Sequence, residues 1–291
     1  MSKGTSRLLA TLLPVLFAFP CRSQQPTASA LSNVQENVSY GPGLLLDVYS
    51  PAAAPTSPRA AVILIHGGGW TTFDKSTMRP MGLFLARHGY VAFAVDYRLF
   101  RNGENPWPAQ LDDVQRAVRW VRANSAKYDV NPKRIGAFGH SAGAQLAALL
   151  GMEDTRDNSD PELAKYSSKV QAVVDVSGPT DFTKDHDSDG DAFLAKFLNA
   201  SYSKHPEVWR EASPVFRVSK NNAPFLIMHG TQDDEVPISQ SQELLAKLQS
   251  AGVPASLIKV NDVHTFRTPE ARHELALQTL AFFDRYLGAA E

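Results

Sequence analysis

The chain has 291 residues, 43% of them hydrophobic and 20% charged, with a formal net charge of −1. Those proportions describe a globular protein with ample apolar surface for a core, and they exclude a disordered or collagen-like chain. No basic stripe accompanies the near-neutral balance, which argues against a nucleic-acid partner.

The first 23 residues stand apart from the rest. Lys3 and Arg7 precede an apolar stretch from Leu8 to Phe19, and a short polar exit follows. That layout predicts a secretory signal peptide, too short for a permanent membrane span, and hence a secreted or periplasmic protein. The single cysteine, Cys21, falls inside this leader. Its other reading is a lipid-anchor site, which Pro20 and Arg22 fit poorly. A mature chain without Cys21 has no disulfide and depends on its core.

Residues 24–33 read as a polar linker, and residues 34–291 as one domain. Segments 34–40 and 44–50 predict a hairpin around Gly41-Pro42-Gly43. Alternation follows: strand 61–65, helix 79–87, strand 90–95, helix 108–127, strand 134–138, helix 142–151, strand 170–176. After a long interval come strand 225–229, helix 238–251, strand 255–260 and helix 268–287. Continuous apolar strands alternating with helices predict an α/β fold: a mostly parallel eight-stranded sheet with helices on both faces. Two insertions, about 152–169 and 178–222, are expected to form a small cap or pocket wall. The second holds Phe193, Phe197, Tyr202 and Trp209.

Gly139-His140-Ser141-Ala142-Gly143 joins strand 134–138 to helix 142–151. Strand, G-x-S-x-G, helix is the context of a nucleophile elbow, in which a tight turn lifts the serine hydroxyl clear of the sheet. A serine needs a general base and a carboxylate to orient it, and in this topology they follow in the order acid, then histidine. The acids after strand 225–229 are Asp233, Asp234 and Glu235; the histidine after strand 255–260 is His264. Both loops leave the same sheet edge as the elbow. Spacing leaves the three acids equivalent. His66-Gly67-Gly68-Gly69-Trp70 follows an earlier strand, and its backbone N–H groups, with that of Ala142, can form an oxyanion hole. Trp70, Phe73 and His140 are expected to line the substrate site.

His66-Gly-Gly-Gly-Trp70, Asp96-Tyr-Arg-Leu99, Gly139-His-Ser-Ala-Gly143, Gly230-x-x-Asp233 with Val236-Pro237, and His264-x-Phe266 together resemble the α/β-hydrolase esterase/lipase family. Within it they are most similar to the BD-FAE-like branch of small secreted feruloyl and related carboxylesterases. The resemblance runs from about residue 34 to 287. It implies an α/β-hydrolase fold, Asp233 as the catalytic acid, oxyanion donors at Gly68, Gly69 and Ala142, and no metal or organic cofactor. Phe73 stands where relatives often carry glycine, Asp234 where they often carry proline, and Asn261-Asp262-Val263 where a glycine-containing loop usually precedes the histidine.

The expected activity is hydrolysis of short-chain or aromatic acyl esters, including feruloyl or acetyl groups on plant polysaccharides. An arylformamidase or prolyl-peptidase-like amide hydrolase shares the pattern. A non-catalytic binding protein of the same fold would usually have lost Ser141 or His264. Asp185-His-Asp187-Ser-Asp189-Gly190 imitates the start of a calcium loop, but Lys196 occupies the closing position, so residues 185–191 read as a solvated acidic loop. Asn37-Val-Ser39 and Asn199-Ala-Ser201 match the glycosylation pattern.

Overall fold

The computed structural model describes residues 32–184 and 188–288. The expected leader, Cys21, the linker up to residue 31 and Asp185-His186-Asp187 lie outside the described residues.

The hairpin forms as β1 (Ser32–Gly41) and β2 (Leu44–Pro51), paired antiparallel and absorbing the last two residues assigned to the linker. Alternation continues through β3 (Arg59–Ile65), α1 (Arg79–Arg87), β4 (Val91–Val95), α2 (Ala109–Ala123), β5 (Val130–His140), α3 (Ala142–Met152) and β6 (Ala172–Val176). Two helices of the second insertion follow, α4 (Ser188–Phe197) and α5 (Pro206–Ala212). The chain closes with β7 (Phe225–Gly230), α6 (Ile238–Ser250), β8 (Ala255–Val260) and α7 (Pro269–Leu287). The eight strands form one sheet in the order β1-β2-β4-β3-β5-β6-β7-β8, parallel from β4 to β8.

The larger differences from the sequence expectation have local reasons. Strand β5 starts four residues early, at Val130. Pro132 is accommodated where the β3–β5 register shifts between Arg59 and Ala61. Helix α2 stops at Ala123 because both the backbone N–H and the side-chain amide of Asn124 donate to the Trp120 carbonyl. The acidic run is helical from Ser188, inside α4, so the solvated-loop reading does not hold for its second half.

Period-two alternation sorts the strands into two apolar layers. Ala61, Ile63 and Ile65 face the layer closed by α2, α3 and α6, where Val114, Val118, Leu146, Leu150, Leu244 and Leu248 are buried. Val62 and Leu64 face the layer closed by α1 and α7, through Leu85, Phe283 and Leu287.

The insertions separate in role. Residues 154–169 are stapled along α2: Arg119 donates to the carbonyls of Leu163 and Asp157, Arg122 to those of Ser167 and Lys169, and Arg116 pairs with Asp160. This segment therefore braces α2 and forms no cap over the elbow. The second insertion lies against the His66–Trp70 loop. Phe197 stacks on Trp70 at 4.6 Å, and Phe182 meets the same indole edge-on at 5.5 Å.

Candidate active site

Ser141 has φ +54° and ψ −123°, a strained conformation for a residue with a Cβ. The turn is tight enough that its flanking glycines are required. A Cβ on Gly139 would lie 2.1 Å from the Gly143 carbonyl oxygen, and one on Gly143 would lie 2.3 Å from that of Ile65. Strand β5, helix α3 and the end of β3 thus meet at backbone contact, and the half-buried Ser141 emerges between them.

Strands β7 and β8 are neighbours, so the loops after them converge. His264 Nδ1 lies 2.7 Å from Asp233 Oδ2, with both side chains almost wholly buried. Nδ1 therefore carries a proton donated to the carboxylate, and Nε2 presents a lone pair. Nε2 is buried and makes no hydrogen bond with the described residues. Asp233 also accepts the backbone N–H groups of Glu235 (3.0 Å) and Val236 (2.9 Å) on Oδ1. Burial pushes this carboxyl up, but donation from His229, His264 and Val236 outweighs it and holds the group well below the usual carboxylate range. Of the three acids that spacing left equivalent, geometry selects Asp233. Asp234 is exposed, and Glu235 approaches the opposite nitrogen, its Oε2 lying 3.7 Å from Nε2.

The loop carrying His264 has no glycine, and Asp262 shapes it instead. Its carboxylate accepts the N–H of Val263 at 2.7 Å, the N–H of Thr268 at 2.8 Å and the Thr268 hydroxyl at 2.7 Å. That clamp accounts for the departure of Asn261-Asp262-Val263 from the family pattern.

The His66–Trp70 loop is oriented by where its carbonyls go. The Gly68 carbonyl accepts the N–H groups of both Thr71 and Thr72 at 3.0 Å, so the N–H of Gly69, across the same planar peptide, points the opposite way. The Gly67 carbonyl faces His66 Nδ1 at 2.8 Å and the Tyr97 hydroxyl at 3.3 Å, which turns the Gly68 N–H outward likewise. Gly68 sustains this at φ +101°, where a Cβ would sit 2.4 Å from the Thr72 oxygen. The N–H of Ala142 opens α3 and has no intrahelical acceptor. Among the described residues, none of these three N–H groups is engaged.

Trp70 lines a cleft of about 230 Å³ beside Ser141, together with Gly69, Phe182, Phe193, Leu194 and Glu235. The other two expected contact residues do not line it. Phe73 is 63% exposed and packs over the His66–Trp70 loop at Gly68. His140 is turned under the triad: its Nε2 donates to the His264 carbonyl at 2.9 Å, and burial pushes its pKa down to about 4, so it remains neutral. It joins the elbow to the histidine loop.

Three contributors escape a sequence reading. His229 is fully buried, with Nε2 3.1 Å from Asp233 Oδ2 and 2.9 Å from the Val236 carbonyl, and Nδ1 2.7 Å from the Ser241 hydroxyl. Two acceptors on one side assign its proton to Nε2, so it is a second imidazole donor to the same carboxylate. Its only sequence signal is its place at the end of β7, just before Gly230. Tyr97 stacks on His66 at 4.2 Å and caps the carbonyls of His66 and Gly67. Gln145 accepts from the Trp70 indole N–H at 3.2 Å and donates to the Ala212 carbonyl at 2.8 Å, tying the His66–Trp70 loop to α5.

Among the described residues, no cluster of His, Cys, Asp and Glu could hold a metal ion, and no helix is long and apolar enough to cross a membrane.

Over 225 residues the chain is 33% identical to Esterase LipC of Mycobacterium tuberculosis, covering 74% of this chain and 55% of that protein. It spans about half the length of the curated relatives it matches. Among solved structures, a truncated carbohydrate esterase from gut microbiota superposes with a TM-score of 0.75 at 28% identity, over 90% of this chain and 99% of that one. The propionate-bound esterase Est2 of Thermogutta terrifontis superposes with a TM-score of 0.74 at 25% identity, over 91% and 98%. The BD-FAE family model matches residues 46–248, and with the elbow, sheet order and loop placement above, the chain belongs to the BD-FAE family of α/β-hydrolase esterases.

Proposed function

We propose that this protein is a serine carboxylic-ester hydrolase working through an acyl-enzyme. The observation that carries this reading is the Asp233–His264 pair at 2.7 Å, whose free Nε2 stands on the edge of the sheet where the elbow presents Ser141. Ser141 attacks the acyl carbon while His264 Nε2 takes the hydroxyl proton and Asp233 stabilises the imidazolium. The N–H groups of Gly68, Gly69 and Ala142 receive the negative charge that builds on the carbonyl oxygen. Each such donor typically contributes about 10²–10³ in rate. The proton then passes from Nε2 to the leaving alcohol, and water, activated by the same imidazole, releases the acid.

The substrates in this reading are short or aromatic acyl esters, with acetyl or feruloyl groups on polysaccharides among them. A small cleft walled by Trp70, Phe182 and Phe193 supports it, as does similarity to a protein described as a carbohydrate esterase. The charged, apolar, then polar order of residues 1–23 supports action outside the cytoplasm. Hydrolysis of p-nitrophenyl acetate by the wild type and by Ser141→Ala is the test. Turnover lost in the variant, with the melting temperature retained, is expected; equal turnover in both would refute the mechanism.

A further inference from the structure

Glu235 has no part in orienting His264, yet its carboxylate is aimed at the reacting nitrogen. Its Oε2 lies 3.7 Å from His264 Nε2, beyond hydrogen-bond distance but adjacent to whatever Nε2 will protonate. The position is built in. The Glu235 backbone N–H donates to Asp233 Oδ1, so the Cα is fixed by the same carboxylate that fixes the imidazole. The side chain is 63% exposed and lines the cleft beside Ser141. Among the described residues no lysine or arginine neutralises it within 4.0 Å. The cation of the cleft wall, Lys184, is engaged by Asp181 at 3.3 Å and Glu243 at 2.9 Å.

Nε2 returns its proton to the leaving oxygen, so a group beside Nε2 lies beside the alcohol half of the ester. An ionised carboxylate there can only accept hydrogen bonds, and it repels negative charge. We propose that Glu235 selects the alcohol: it accepts a hydrogen bond from a hydroxyl on the carbon adjacent to the one that bears the ester oxygen, as in sugars and other polyols, and disfavours alcohols carrying an anionic group. This rests on the hydrolase reading above. A carboxylate that only kept the rim soluble would need no anchoring to Asp233 and no approach to Nε2.

The test uses selectivity ratios, because a charge this close to the imidazole also changes the rate for every ester. kcat/KM is measured for a methyl xyloside monoacetate and for cyclohexyl acetate, its counterpart without hydroxyls, in the wild type, Glu235→Gln and Glu235→Ala. The ratio of sugar to cyclohexyl ester is expected to fall about tenfold in Glu235→Ala, the usual effect of losing one hydrogen bond to a charged group. It should fall less in Glu235→Gln, whose amide oxygen still accepts. The ratio of 4-acetoxybenzoate to phenyl acetate should rise about threefold in both variants at low ionic strength, and the gain should vanish near 1 M salt. Ser141-dependent turnover with both ratios within twofold of wild type would overturn this proposal alone. Turnover that survives Ser141→Ala, or none in the wild type, would overturn the hydrolase reading and this proposal with it.

Discussion

Asp233→Asn tests the triad most directly, because the substitution keeps shape and removes only charge and acceptor capacity. The carboxylate receives four N–H groups: Glu235 and Val236 on Oδ1, and His264 at 2.7 Å and His229 at 3.1 Å on Oδ2. An asparagine that keeps its oxygen toward the two backbone donors places its NH₂ against both imidazoles. Turned over, it confronts the two backbone donors instead. In the first orientation His264 can accept at Nδ1 only by carrying its proton on Nε2, and it can then no longer take the serine proton. The expected loss is about 10⁴ in kcat, equivalent to about 5 kcal/mol of transition-state stabilisation. KM should change far less, since the Asp233 side chain is buried behind His264 and does not line the cleft. The assay is steady-state hydrolysis of p-nitrophenyl acetate beside thermal unfolding, with Asp234→Asn as a control expected within twofold of wild type, its side chain being exposed. A kcat for Asp233→Asn within tenfold of wild type would show that the acid acts elsewhere and refute the assignment.

Gly68→Ala should lower kcat by about 10²–10³ with little change in KM, because the added Cβ meets the Thr72 oxygen at 2.4 Å and the loop must turn its N–H donors away. A variant of unchanged kcat would exclude Gly68 and Gly69 as oxyanion donors. Asp175 sits one residue before the end of β6, fully buried, with Oδ1 accepting the Gly178 N–H and Oδ2 unpaired. Burial pushes its pKa up from 3.8 to about 6. The protonated acid is therefore favoured in the folded state, and its contribution, about 3 kcal/mol, is present below pH 3.8 and lost as pH rises through about 6. Asp175→Asn, which cannot ionise, should gain on the wild type between pH 4 and pH 7 in melting curves. Parallel curves across that range would refute the titration.

Most of the fold is legible in the residues, because its signals are local. Apolar runs such as Ala61–Ile65 and Phe225–His229 are buried on both faces and, short and β-branched or aromatic, read as inner strands, and Gly41-Pro42-Gly43 marks an antiparallel hairpin. The elbow is legible for the same reason, since its glycines and serine must be consecutive to make the turn. Residues 152–169 carry no such local signal. Their sequence is polar, and only the arginines of α2, reaching across more than 35 positions, decide that they brace a helix.

By itself, the sequence determined the strand–helix alternation, the elbow at Ser141 and the sheet edge on which an acid and a histidine would meet it. These follow from periodicity and from chain order in a parallel sheet. Tertiary structure alone decided which nitrogen each acid faces: Asp233 the orienting Nδ1, Glu235 the reacting Nε2. It alone placed His229 behind the carboxylate and turned His140 away from the cleft. Adjacent residues on a tight loop point in different directions, and a direction is set by what packs behind it, which the order of residues does not encode locally.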